Sequence, residues 1–451
     1  MRIVRAAALA MMGVVAAGGA QAAELFFDFN RNAVGGTANA SVFLFGDAGQ
    51  AATVSNLAGF SQNVTLGANG FFNLPISNIY QQSGTGTVDT GFKISSATAI
   101  ASYFVNRAPF TTDMAYLLDS SALGSNYMVA SQGGGFGEGS QVAIHATQNN
   151  TNVTFTPTVG APVNVTLNAG QTYKYAGGTT NLTGSSVVAS APVAVFAGHE
   201  CAQVPDGLVA CDTLLEQMIP TDKLSKTYAV SASQAAGVSQ IQSDIVRVIA
   251  TVDNTQVTVN GVVVATINKG QFHEFQVAQN TGASIEGSSP IMVAQYLTGT
   301  GNSGGATDPA MSLVPGSDTW LDEYRLATPS GAQDFVNDYA SIVINTADLA
   351  SLKLDGVTVD TSTCTVIAGT PYSRCHATLP NGLFNLTADT AFQVMLGGGS
   401  LADSYFTYGG ATFAPGISPP VDQPVTTPEP ATMALLGIAL LGLGAARRRR
   451  G

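Results

Sequence analysis

Short runs of β-branched and aromatic residues recur along most of this chain, broken by Gly, Asn, Asp or Pro roughly every ten residues. Val42-Phe-Leu-Phe45, Gln141-Val-Ala-Ile144, Asn152-Val-Thr-Phe155, Val246-Arg-Val-Ile249 and Ser341-Ile-Val-Ile344 are examples. Runs this short, separated by turn residues and never alternating with long helices, predict an all-β protein of sandwiches or barrels. One short amphipathic helix is predicted, over Asp212 to Gln217.

The pattern also repeats. Asn150-Thr-Asn-Val-Thr154 is echoed by Asn254-Thr-Gln-Val-Thr258, and Leu167-Asn-Ala-Gly-Gln171 by Ile267-Asn-Lys-Gly-Gln271. Gly184-Ser-Ser186 leading to Pro192-Val-Ala-Val195 matches Gly287-Ser-Ser289 leading to Pro290-Ile-Met-Val293. Weaker copies lie on either side: Val64-Thr-Leu-Gly67 with Ala99-Ile-Ala-Ser-Tyr103, and Leu352-Lys-Leu-Asp-Gly356 with Phe392-Gln-Val-Met395. A period of roughly 100 residues is too long for a solenoid rung and suits an immunoglobulin-sized β-sandwich. The expectation is four tandem β-sandwich modules at 24–120, 121–225, 226–325 and 326–413, with a four-bladed propeller as the alternative.

Both ends of the chain read as export devices. Arg2 and Arg5 precede the apolar run Ala6 to Ala17, and Ala20-Gln21-Ala22 is a small-x-small cleavage site, so residues 1–23 are expected to be a secretory signal peptide. A proline-rich linker, 414–427, leads to Pro428-Glu429-Pro430. An apolar run follows over 431–446, a candidate transmembrane segment, and Arg447, Arg448, Arg449 and Arg450 close the chain. The arginines favour the cytoplasmic side, and the run is just long enough to span a bilayer. The tail over 428–451 resembles the PEP-CTERM sorting signal of Gram-negative bacteria. That resemblance implies an exosortase-type processing protease as partner, passage through the inner membrane and transient C-terminal anchoring.

Charge narrows the remaining classes. The chain carries 17 basic and 29 acidic residues. Without Arg2, Arg5 and the four tail arginines 11 basic residues remain, and without Glu429 there are 28 acidic ones, a balance of −17. Nucleic acid and anionic lipid surfaces are poor partners for such a chain, because phosphate neutralisation needs clustered Lys and Arg. Membrane contact is expected only through the C-terminal segment.

Four cysteines fall as two local pairs, Cys201 with Cys211 and Cys364 with Cys375. In an exported chain these read as disulfides, although four cysteines allow three connectivities. Zinc is the competing idea, since His199, Glu200, Cys201, Cys211 and Asp212 crowd one segment, but no zinc-site spacing is present. His199, Glu200 and Asp212 are the strongest polar cluster and a candidate binding loop. Pro192 to Cys201, followed by Ala210 to Pro220, resembles the core motif of the IgG Fc-binding-protein N-terminal domain family. Gly124, Tyr127 and Val129 within Leu118–Val129, and Asp308-Pro309 before a loop ending at Pro315, follow the same order. The likeness runs over roughly residues 40 to 345. It implies an extracellular, non-catalytic β-domain in which Cys201 and Cys211 form a structural bridge.

Catalysis is not expected. His145 and His273 sit in strand-like segments, and Gly301-Asn-Ser-Gly-Gly305 lacks the strand–elbow–helix context of a nucleophile motif. The glycines from Gly133 to Gly139 precede a strand rather than a helix, so they make no phosphate cradle. No cofactor is expected; calcium at Asp308 or at Asp318 to Glu323 is conceivable, but no EF-hand or nonapeptide pattern accompanies those acids. Trp320, the single tryptophan, lies at a module junction and is expected to pack there. The functional expectation is a cell-surface or extracellular-matrix adhesion protein, associated with exopolysaccharide or biofilm and contacting an extracellular protein or polysaccharide. A glycan-binding module is the alternative and a secreted hydrolase a third reading.

Overall fold

The computed structural model describes residues 22–32, 40–208, 210–233, 244–303, 307–329, 335, 337–400 and 403–413. The expected signal peptide up to residue 21, the linker 414–427, the candidate membrane segment 431–446 and the sorting residues Pro428, Glu429, Pro430 and Arg447 to Arg450 lie outside them. Among the described residues no helix is long and apolar enough to cross a membrane.

The chain is nearly all β, built as a run of two-layered units with one strand order. In the first, the sheet Ala23–Phe27, Phe92–Ser96, Ala51–Asn56, Ser61–Thr65 faces the sheet Phe71–Ile76, Ala40–Phe45, Ala101–Ala108, Thr111–Tyr116. Phe27 stacks on Phe92 beside it and on Phe104 of the opposite sheet, so the aromatic side chains of the two inner faces fill the space between the layers. The third unit repeats this order with Thr227–Ser231, Gly282–Gly287, Thr255–Val259, Val262–Ile267 in one layer and Phe272–Val277, Asp244–Ala250, Ile291–Leu297, Ala310–Leu313 in the other. In the second and fourth units the two layers are joined by one long strand, Ser186–Ala202 or Leu383–Ser400. Its first part pairs in one layer and its second part in the other. That continuity merges each pair of layers into a single eight-stranded sheet.

The sequence echoes correspond to identical bonds. Asn168 accepts the Asn150 amide through Oδ1 and Asn268 accepts that of Asn254. Gln171 and Gln271 each fold back on the amide three residues earlier. Asn150 and Asn254 both sit at φ 56°, a left-handed conformation that asparagine tolerates. A buried tyrosine marks three units: the hydroxyls of Tyr127, Tyr228 and Tyr324 donate to the carbonyls of Val193, Ile291 and Phe392. Each also accepts the amide three residues upstream.

The units close into a ring. The last strand of each, Thr111–Tyr116, Asp212–Gln217, Ala310–Leu313 and Asp403–Tyr408, packs against the last strand of the units before and after it, and the fourth packs back on the first. These four axial strands surround one pseudo-fourfold axis. The architecture thus combines the sandwich units with the circular arrangement of a propeller, each blade having two layers instead of one. Asp212–Gln217 is an axial strand and not the helix its composition suggests; every one of its residues is buried. Tertiary pairing overrides local preference here, because the ring supplies neighbours on both flanks.

Buried cations hold adjacent units together. Arg247 reaches from the third unit to the Ser131 carbonyl, Thr183 and Gln132 of the second, and pairs with Glu274 at 2.7 Å. Lys174 donates to the Gln82 carbonyl at the first junction, and Arg374 to Ser231 at the third. Trp320 packs with Ala229, Val343 and Ile367 and lies edge-on to Tyr372, filling the contact between the third and fourth units.

Candidate functional site

Backbone pairing puts Met114, Leu215, Met311 and Phe406 at equivalent positions in the axial strands, each three residues before the amide that bonds the neighbouring strand at Ser102, Val195, Val293 or Val394. Their four amides converge on one side chain. Asp113 Oδ1 accepts from Met114 at 3.0 Å and Phe406 at 3.2 Å, while Oδ2 accepts from Leu215 at 2.9 Å and Met311 at 3.2 Å. Burial pushes this carboxyl well up, and the four amides pull against that rise. One turn of the strand pleat further on, Glu216 accepts from Gln217, Leu313 and Ser312 and is likewise raised by burial and by Asp113.

At the opposite end of the same strands the equivalent positions are Thr111, Asp212, Asp308 and Asp403. Asp212 accepts from its neighbour Thr213 at 2.8 Å and from Ser404 of the fourth unit at 3.4 Å. Asp403 accepts from Thr112 of the first unit at 3.1 Å, and Asp308 accepts from the amide and hydroxyl of Thr300. Burial and the mutual repulsion of these acids push Asp212 well above the carboxylate range and Asp403 up to about 7; burial raises Asp308. The signal that could have found this ring was the recurrence of Asp at the start of the last strand of two repeats, Asp212 and Asp403, and just before it in a third, Asp308.

The expected binding loop has a different character. His199 and Glu200 belong to the strand Ser186–Ala202 and are buried, as is Asp212. His199 donates through Nε2 to the Gly134 carbonyl at 3.0 Å and accepts the Cys201 amide on Nδ1 at 2.9 Å, so both ring nitrogens are occupied. Burial lowers it to about 4. Glu200 takes the Arg31 guanidinium at 3.0 Å and the Glu138 amide. Asp212 lies on the axis, in contact with Thr111 and Ser404 and away from both. The glycines of the 133–139 segment accommodate this packing: a Cβ on Gly135 would meet the His199 ring, and one on Gly137 the Glu200 carboxylate. Gly134, Gly135, Gly137 and Gly139 all have positive φ.

Both disulfides are formed as local pairs, Cys201–Cys211 and Cys364–Cys375. The first closes a loop at the end of the ring where the Asp212, Asp308 and Asp403 side chains cluster. Two exposed aromatic rings lie at this end of the ring. Phe136 stands opposite Cys201 in the ladder, and Phe110 ends the turn before Thr111, whose hydroxyl takes the Thr213 amide. Phe110 is 63% exposed and Phe136 59%. Phe110 also adopts φ 63°, a left-handed conformation costly for a bulky side chain.

The other candidate residues are structural in their surroundings. His145 is fully buried, 3.6 Å from Asp28 and against Phe26, while His273 stacks on Phe275. Thr300–Ser303 forms one helical turn at the Gly301–Gly305 motif, and residues 304–306 lie outside the described part. Asp318 takes the Ser225 hydroxyl. Among the described residues no three His, Cys, Asp or Glu side chains are grouped to hold a metal ion. Two open depressions, of about 400 and 310 Å³, lie beside Glu24 and Asn63 and beside Asp360 and His376.

The model of the IgGFc binding protein family matches residues 113–398. The chain belongs to that family. The match starts and ends later than the motifs suggested and takes in Cys364 and Cys375. It also spans three of the four axial strands. The IgGFc-binding protein of Homo sapiens is 26% identical over 311 residues, which is 63% of this chain and 5% of the human protein. The chain therefore spans a small part of the human protein's length. The family is one of binding domains rather than catalysts. The PEP-CTERM protein-sorting motif matches residues 426–450, which implies export, exosortase processing and transient anchoring by the C-terminal segment.

Proposed function

We propose that this exported protein is a cell-surface or matrix adhesin of a Gram-negative bacterium. In this reading the disulfide-bearing end of the ring binds an extracellular protein or polysaccharide, with biofilm or exopolysaccharide as its setting. Modules at 24–120, 121–225, 226–325 and 326–413 are the proposed units, with the strand Leu321–Ala327 at the last boundary pairing into the fourth, and the linker 414–427 spaces them from the membrane. One observation carries the binding assignment: Phe110 is held exposed in a conformation that costs free energy, one residue before Thr111, whose hydroxyl bonds the axial strand that follows Cys211. Strain at an exposed aromatic is retained where the side chain has a task outside the fold. His199, Glu200 and Asp212 lie beneath that surface and support its loops.

The test compares the full chain with Phe110→Ala and Phe136→Ala for binding to exopolysaccharide from its host, to host surface proteins and to immobilised IgG Fc. Loss of at least about tenfold in affinity, equivalent to about 1.4 kcal/mol, is expected for each variant with an unchanged fold. Competition by free sugar would mark the ligand as a glycan. Unaltered binding by both variants would remove this surface from the proposal.

A further inference from the structure

The acids Asp212, Asp308 and Asp403 come from three different units, yet they occupy one register position of the axial strands. Thr111 fills the fourth place. Asp212 and Asp403 are fully buried, and Asp403 Oδ1 has no hydrogen-bond partner. The groups facing Asp212 are Asp403, Asp308 and Asp113 together with the Thr111 hydroxyl; those facing Asp403 are Thr112, Arg107 and Asp308. Asp308 faces Thr300. Among the described residues, Arg107 is the cation that faces these four carboxyl groups. Charges of one sign this close in a buried site cannot all be borne at once, so protons must be retained to keep the strands together.

We propose that this acidic cap is a proton-operated latch on the ring: protonated, it lets the second, third and fourth units meet at the axis, and on ionisation its mutual repulsion loosens them. The device differs from the binding surface in kind and stands whether or not Phe110 contacts a ligand. It does place the control point at the roots of the same loops. Asp212 directly follows Cys211, and Thr111 follows Phe110.

The sign follows from linkage. A carboxyl raised in the folded state holds a proton that the unfolded chain releases, so its stabilising effect is lost as pH rises through the folded value. For Asp403 that window runs from about 4 to about 7. The experiment is thermal unfolding of the full chain in detergent between about pH 4.5 and about pH 7.5, read as the difference in Tm between the wild type and each of Asp403→Asn and Asp212→Asn, so that the histidine titration common to all three cancels. The expected result is a wild-type Tm that falls relative to both variants as pH rises across that range. A difference that stays constant across the range would overturn the latch. Should both variants fail to fold, infrared spectra of the wild type decide. A protonated carboxyl band that bleaches across the same range supports the proposal, and its absence at pH 6.5 refutes it.

Discussion

Replacing Asp113 by Asn tests the centre of the ring directly. A neutral carboxylic acid and a carboxamide have nearly the same shape, so the substitution is mild if Asp113 is protonated. The geometry argues otherwise: all four lone-pair directions of the carboxylate are occupied by backbone amides, two on each oxygen. An Asn carbonyl can serve one such pair, but its NH₂ group would point donors at the other pair. Two hydrogen bonds to a charged group are lost, at about 1.5–3 kcal/mol each, giving a destabilisation of about 3–6 kcal/mol. The donors left unpaired belong to two different units, so the loss should fall on ring closure as well as on total stability. Urea unfolding of the wild type and Asp113→Asn, followed by near-ultraviolet circular dichroism, measures the total. Hydrogen exchange at Leu215, Met311 and Phe406 measures the closure. Wild-type stability in Asp113→Asn, within about 1 kcal/mol, would show that the acid is neutral and that the four amides do not require an anion.

Two further outcomes are expected. Replacing Cys201 and Cys211 together by Ser opens a loop of sequence separation 10 and should cost about 2–3 kcal/mol by the chain-entropy account, read as a lower urea midpoint that reductant no longer shifts. His199 and His376 are lowered by burial to about 4 and about 3, so the folded state binds fewer protons than the unfolded chain below about pH 6.5. Stability should therefore decline as pH falls through that range, and His376→Gln should weaken the decline; an unchanged acid limb would contradict the burial of His376.

Much of the fold was legible because the repeats write their turns in the same residues. Asn150 and Asn254, and Gln171 and Gln271, make the same bond within each repeat, so repeated sequence and repeated structure coincide. Closure of the ring was harder to read, since it rests on contacts between residues such as Asp113 and Phe406, far apart in the chain and with no shared local pattern. The same cause misled the reading of Asp212 to Gln217. Its acids suggested an exposed helical face, but Glu216 is buried because Leu313 and Ser312 of another unit supply its donors. Two local cysteine pairs in an exported chain pointed to disulfides but left three connectivities open; the fold forms Cys201–Cys211 and Cys364–Cys375. His199 and Glu200 precede the bridge in sequence and read as a candidate binding loop, while their burial rests on the glycines at 135 and 137, whose role appears only once the chain is folded back on itself.

The single carboxylate at the centre bears on how such a ring can arise from repeats. Four identical copies would bring four copies of Asp113 to the axis, where there are amides enough for one. Instead the equivalent positions hold Asp113, Leu214, Ala310 and Tyr405. Duplication alone cannot yield this centre: the copies have to become unequal before the circle can shut, and a repeat moved to another place in the order would carry the wrong residue to the middle.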